Sequence, residues 1–138
     1  MKTFCFNDLL ADDQFLLDLG KLDIVDVGAQ VLDYEKHIYQ PLVENLNTTI
    51  VGFEPVTEAR DKYVAVGGKC KIFPFVIGDG QDAIFYETNN SALSSVYKPN
   101  IALRQRFVGG HGMYGVKDAQ SVKTKKLDDI KSISNCDF

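Results

Sequence analysis

Asp26, Gly28 and Glu54 are the residues whose types and spacing best suit chemistry with a bound molecule. A glycine directly after a buried strand lets the backbone approach a ligand, and a carboxylate ending the next parallel strand can accept both hydroxyls of a ribose. Gly78-Asp79-Gly80 repeats the pairing of glycine and acid a third time. The plainer alternative is that Gly28 only makes a turn and Glu54 is a solvated strand-end charge.

The elements that must position these residues are legible as short apolar runs. Leu22, Ile24, Val25 and Val27 stop at Gly28, and Thr49, Ile50, Val51 and Phe53 stop at Glu54-Pro55. About twenty residues separate the two runs, enough for the crossover that parallel strands require. Within it Val31 to Asn47 tends to helix, and Pro41 is expected to open a short helix over Leu42, Val43 and Leu46. A helix from Glu58 to Val66, capped by Thr57 and ended by Gly67-Gly68, should follow the second strand. Cys70 to Ile77 reads as a third strand, placed at an edge by Pro74. Ala83–Thr88 and Val122–Leu127 read as partly exposed strands. Between them lie a polar stretch, a short helix from Pro99 or Asn100 to Phe107, and a glycine-rich loop from Val108 to Gly115. Residues 7–19 form a Leu-rich helical segment with Asn7 as cap and Gly20 as stop, and it calls for nothing beyond packing.

The 138-residue length fits one domain. Its expected parts are a helical segment over 1–20, a cofactor-binding βαβαβ unit over 21–80, and a hairpin and loop excursion over 81–138. No run approaches the roughly 18 to 20 apolar residues that span a membrane, and Met1-Lys2-Thr3-Phe4 leads into acids, so a soluble cytoplasmic protein without membrane partners is expected. Cys5, Cys70 and Cys136 lack the spacing of a zinc site, redox pair or disulfide framework. His37 and His111 have no neighbouring ligand pattern, so no metal is expected, and His111 reads as a loop residue. The net charge of −4 conceals −8 in residues 1–61, twelve acids against four bases, and +4 from Lys62 on, seven against eleven. No nucleic-acid motif accompanies the basic half, which reads as solvated surface.

The G-x-G-x-x-G fingerprint is absent, since Gly28 is followed by Ala29-Gln30-Val31-Leu32-Asp33. A nicotinamide-dependent oxidoreductase is thereby disfavoured. No G-x-x-x-x-G-K-[ST] loop or G-x-S-x-G elbow occurs. Five blocks in order are Val25-Asp26-Val27-Gly28-Ala29, Val51-Gly52-Phe53-Glu54-Pro55, Val76-Ile77-Gly78-Asp79-Gly80, Ser94-Ser95, and Thr124-Lys125-Lys126-Leu127-Asp128-Asp129-Ile130. Through them the chain resembles the FkbM-type S-adenosylmethionine-dependent methyltransferases over most of residues 22 to 131.

The resemblance implies an α/β, class I methyltransferase (Rossmann-like) sheet with S-adenosyl-L-methionine across the carboxyl ends of its first three strands. Gly28 and Ala29 would pass under the methionine moiety, Asp26 would help hold its ammonium group, and Glu54 would take the ribose diol. Pro55 and Ile77 would flank the adenine beside Gly78, with Asp79 accepting from its exocyclic amine. The methyl group would go to a hydroxyl of a small molecule or saccharide, and no catalytic base is indicated. Asn89 to Gly115 is expected to cover the acceptor side, with Ser94 and Ser95 near the cofactor mouth. A non-catalytic nucleotide-binding or interaction module of the same fold is the alternative.

The family commonly has Asn at the place of Gln30 and a second glycine at the place of Leu32, which implies a wider first turn here. In the family Leu-Asp-Asp-Ile precedes a fourth strand beside the first. This chain ends at Asp137-Phe138, so the expectation is a sheet truncated after its third parallel strand, a fragment inactive alone, and a homo-oligomer formed through the exposed first strand.

Overall fold

The computed structural model describes residues 18, 20–31, 37, 39–45, 48–63, 69–107, 109 and 111–133. Apart from Asp18, the helical segment expected over 7–19 lies outside them.

Strands β1 (Leu22–Val27), β2 (Thr48–Phe53) and β3 (Lys69–Phe73) form a parallel sheet in the order β1-β2-β3. The register runs from Leu22↔Thr48 to Val27↔Phe53 and from Thr49↔Lys69 to Phe53↔Phe73. Side chains alternate across the sheet. Leu22, Ile24 and Ile50 bury themselves with Val43 of helix α1 (Gln40–Asn45), while Val51 and Phe53 on the opposite face pack with Ile130. Phe53 and Ile50 are each 1 % exposed, and burial of side chains of this size stabilises a fold by about 1.5–3 kcal/mol each.

Pro41 sits in the first turn of α1, where its missing N–H breaks no ladder, as its sequence position foretells. Helix α2 (Thr57–Lys62) starts and stops earlier than expected. Val56 rather than Thr57 is its cap residue, without a side-chain cap bond, and Tyr63 is already extended. Thr57 Oγ1 instead accepts from the Arg60 guanidinium at 3.2 Å.

β3 also ends sooner than Ile77. Pro74 has no N–H to continue the ladder, and the chain beyond it changes partner. Ile77 forms a parallel bridge with Lys125, through Lys125 N donating to Val76 O at 2.9 Å and Gly78 N to Lys125 O at 2.9 Å. This bridge ties the parallel sheet to an antiparallel pair, β4 (Asp82–Thr88) with β5 (Val116–Lys123). β5 begins six residues before the expected Val122 and ends at Lys123. All but one of its residues is exposed, so it carries little of the apolar alternation by which a strand is read from sequence. Its register against β4, including Lys117 Nζ donating to Glu87 Oε1 at 2.9 Å, defines it instead.

Between β4 and β5 the polar stretch is anchored. Ser95 exchanges backbone bonds with Tyr86 at 2.8 and 3.1 Å, and Asn89 N and Asn90 N donate to Gly115 O and Met113 O. The expected helix there is one turn, α3 (Ile101–Arg104), with the Asn100 side chain accepting from Leu103 N. Inside the expected glycine-rich loop, His111–Tyr114 winds into a 3₁₀ turn. The Arg104 guanidinium lies 4.2 Å from the Tyr114 ring centroid.

Candidate ligand-binding pocket at the strand ends

The carboxyl ends of β1 and β2 and the segment that follows β3 meet at one open cavity of about 430 Å³. Val27 and Gly28 come from the end of β1, Phe53, Glu54 and Pro55 from the end of β2, and Phe75, Val76 and Ile77 from the segment after β3. The far wall is Phe85 of β4 with Ser91, Ala92 and Ser94 to Tyr97. Chemically this is an apolar slot with a small set of polar groups, the usual make-up of a small-molecule site.

The turn after β1 is built to bring backbone to the slot. Gly28 has φ +82°, a conformation that L side chains rarely adopt. Gly28 N and Ala29 N both donate to Phe53 O, at 2.9 and 3.1 Å, which folds the turn onto the end of β2. Gly52 makes room beneath it: a Cβ there would lie 2.4 Å from Ile72 Cδ1 and 2.7 Å from Ala29 Cβ.

Glu54 is a buried carboxylate at the slot's edge, 5 % exposed. One oxygen accepts from Val56 N at 2.7 Å. Burial pushes its carboxyl above the ordinary range, opposed by the Val56 bond and the Arg60 charge and reinforced by Asp26 and Glu87. Arg60 does not clamp the carboxylate. Its guanidinium donates to the backbone oxygens of Glu54 and Pro55, at 3.0 and 3.2 Å, and thereby fixes the bend that aims the side chain.

Of the residues singled out from the sequence, Gly28, Glu54, Pro55, Ile77, Ser94 and Ser95 meet around the slot, whereas Asp26, Ala29, Gly78 and Asp79 are not in its lining. Ala29 is fully buried under the turn. Asp26 shares the face of β1 that carries Leu22 and Ile24, so strand alternation turns it toward α1. There it accepts from the Tyr39 hydroxyl at 2.6 Å, and that hydroxyl lies 2.9 Å from the Tyr63 hydroxyl. The His37 ring stacks on Tyr39 with centroids 4.9 Å apart, its Nδ1 3.9 Å from Asp26. Burial and the Asp26 bond raise the Tyr39 phenol far above its ordinary value, and burial pushes Tyr63 up to about 12. Asp79 accepts from Gln81 N at 2.9 Å within its own turn. Gly78 packs against Thr124, whose hydroxyl accepts from Gly80 N at 3.0 Å and donates to Gln81 O at 2.8 Å.

Gln30, Phe85, Val96 and Tyr97 also line the slot, and the sequence did not mark them as site residues. Phe85 and Val96 carry only generic apolar character. Gln30 differs from the residue common at its position in the family resembled, and the Gln30 amide donates to the Ser91 hydroxyl across a gap of 61 residues in sequence. No pattern within either segment encodes that contact. Among the described residues no group of His, Cys, Asp and Glu is placed to hold a metal ion. No helix among them is long and apolar enough to cross a membrane. No family model matches the chain, and neither a curated protein nor a solved structure matches it at a significant level.

Proposed function

We propose that the strand-end slot binds S-adenosylmethionine and that the protein serves methyl transfer to a hydroxyl oxygen. One observation carries this reading: a glycine turn from the end of β1, a buried carboxylate from the end of β2 and an apolar wall from the segment after β3 meet in one cavity. Parallel α/β sheets bind ligands outside these ends. Glu54 offers acceptor oxygens to a ribose diol, Pro55 and Ile77 offer flat apolar contact to a purine, and the Gly28 turn leaves room for a chain passing over it.

When bound, adenosylmethionine would supply an electrophilic methyl group to the acceptor oxygen, leaving as a neutral thioether, with the hydroxyl proton lost to water. The protein's part is proximity and in-line alignment. A second reading is a nucleoside-binding module without chemistry. It is favoured by the slot lining, in which Glu54 and Tyr97 are the ionisable side chains and Glu54 is already held by Val56 N.

Calorimetric titration with adenosylmethionine, adenosylhomocysteine and NAD tests the cofactor. Binding of the first two but not NAD is expected, and binding of none, or of NAD alone, rejects the reading. Methyl transfer to a supplied hydroxyl compound, where it occurs, identifies the enzyme over the binding module.

A further inference from the structure

A second cavity, of about 240 Å³, lies on the other side of the Gln30–Ser91 contact. These two residues line both cavities, so their side chains form a shared wall. The chemistry of the second cavity differs sharply from that of the slot. Glu58 and Lys62 of α2 face Glu87, Thr88 and Asn89 of the β4 end and Lys117 of β5. Its two carboxylates and two ammonium groups balance, so it has no net charge with which to select an ion. No aromatic side chain lines it to stack on a base. It holds about the volume of eight waters, the size class of one sugar ring. The Lys117–Glu87 pair and the Asn89 side-chain N–H are bonded within the protein, and the Glu58 carboxylate, the Lys62 ammonium and the Asn89 side-chain oxygen are the lining groups that suit hydroxyls.

We propose that this cavity seats a neutral polyhydroxyl ligand, a single sugar ring, walled off from the slot by the Gln30–Ser91 contact, with Glu58, Lys62 and Asn89 as its hydrogen-bonding groups. This assignment does not rest on the methyl-transfer reading. Ser94 and Ser95 line the slot itself, so they would face the cofactor rather than the sugar.

Backbone amide NMR of the full chain tests the sugar site and the methyl-transfer reading separately. D-glucose, D-galactose and D-mannose are titrated singly to concentrations on the order of 10 mM, where even millimolar affinity registers. At least one is expected to shift Glu58, Lys62 and Thr88 to Asn90. Adenosylhomocysteine, titrated alone, is expected to shift Gly28, Glu54 and Ile77. Glu58→Ala and Lys62→Ala alter exposed positions, and each should weaken the sugar about fivefold or more, the loss of one hydrogen bond, without changing adenosylhomocysteine binding. In Ser91→Ala the sugar-induced shifts should spread to Gly28 across the removed wall. No shift with any of the three sugars, shifts elsewhere, or shifts produced by inorganic phosphate instead overturn the sugar site. Sugar binding without adenosylhomocysteine binding leaves the sugar site standing and rejects the methyl-transfer reading.

Discussion

Gly28 in the first turn and Gly52 of β2 beneath it are needed for different reasons, and substitution separates them. At Gly28 a Cβ would meet nothing within 4 Å, so Gly28→Ala costs only backbone strain at φ +82°, about 1–2 kcal/mol. At Gly52 the Cβ would collide with Ile72 and Ala29, and overpacking of this kind costs about 1–3 kcal/mol. Urea denaturation should find both variants destabilised. Gly52→Ala alone should also perturb the amide of Ile72. Glu54 supplies the residue-scale test of function. Glu54→Ala should weaken adenosylhomocysteine by about 1.5–3 kcal/mol, the worth of hydrogen bonds to a charged acceptor. Because burial raises its carboxyl, the charged acceptor is lost as pH falls through a range above that of an exposed glutamate. Affinity should therefore decline at mildly acidic pH, and Glu54→Gln should flatten the profile. The linkage to folding has the opposite sign. The folded state holds this proton more tightly, so Glu54's contribution to stability falls as pH rises from the ordinary glutamate value through the raised one.

Elements built from dense apolar runs were legible in advance, and those built from tertiary contacts were not. β1 and β2 declare themselves through β-branched residues ending on Gly28 and Glu54. β5 escaped because Lys117 to Ser121 is exposed and polar, and only its pairing with β4 makes it a strand. Gly28, Glu54 and Pro55 converge because they sit at strand ends, a property of topology, whereas Ile77 is placed by its bridge to Lys125 and Ser95 by its bridge to Tyr86. Asp26 turned away because side chains alternate along a strand, and the acid's proximity to Gly28 in sequence concealed this. The resulting chain of Asp26, Tyr39 and Tyr63 joins β1 to α1 and to the end of α2. Tyr39→Phe removes the donor to a partly buried carboxylate and should cost about 1–3 kcal/mol in thermal or urea denaturation. If Tyr39→Phe unfolds at the wild-type midpoint, the chain of hydroxyls contributes nothing to holding the crossover.

For the whole molecule the edge of β1 matters most. Among the described residues β1 pairs with β2 alone, which leaves a row of backbone donors and acceptors for another strand. Val27 at its end is 55 % exposed. The Lys21–Asp23 ion pair, at 2.7 Å, marks its beginning with charge; Leu22 and Ile24 are buried, so a partner would cover the backbone edge rather than an apolar face. We expect a second copy to pair there, giving a dimer by light scattering at micromolar concentration. A monomer at that concentration would rule it out. Isoleucine-to-lysine change at Ile24 is unsuitable as a test because Ile24 is core. Val27→Lys, at an exposed position, should shift the equilibrium toward monomer.

The wall joining Gln30 to Ser91 also bears on synthesis. During vectorial translation the three parallel strands are all present once Phe73 has been made, yet Ser91, Val96 and Tyr97 of the far wall and the Lys125 bridge to Ile77 come later. A nascent chain can therefore possess the glycine turn and the carboxylate while lacking an enclosure to hold anything between them. Competence to bind would then arrive late, and a ligand that recognises only the walled slot would stabilise the longer chain by mass action while passing over its shorter precursors.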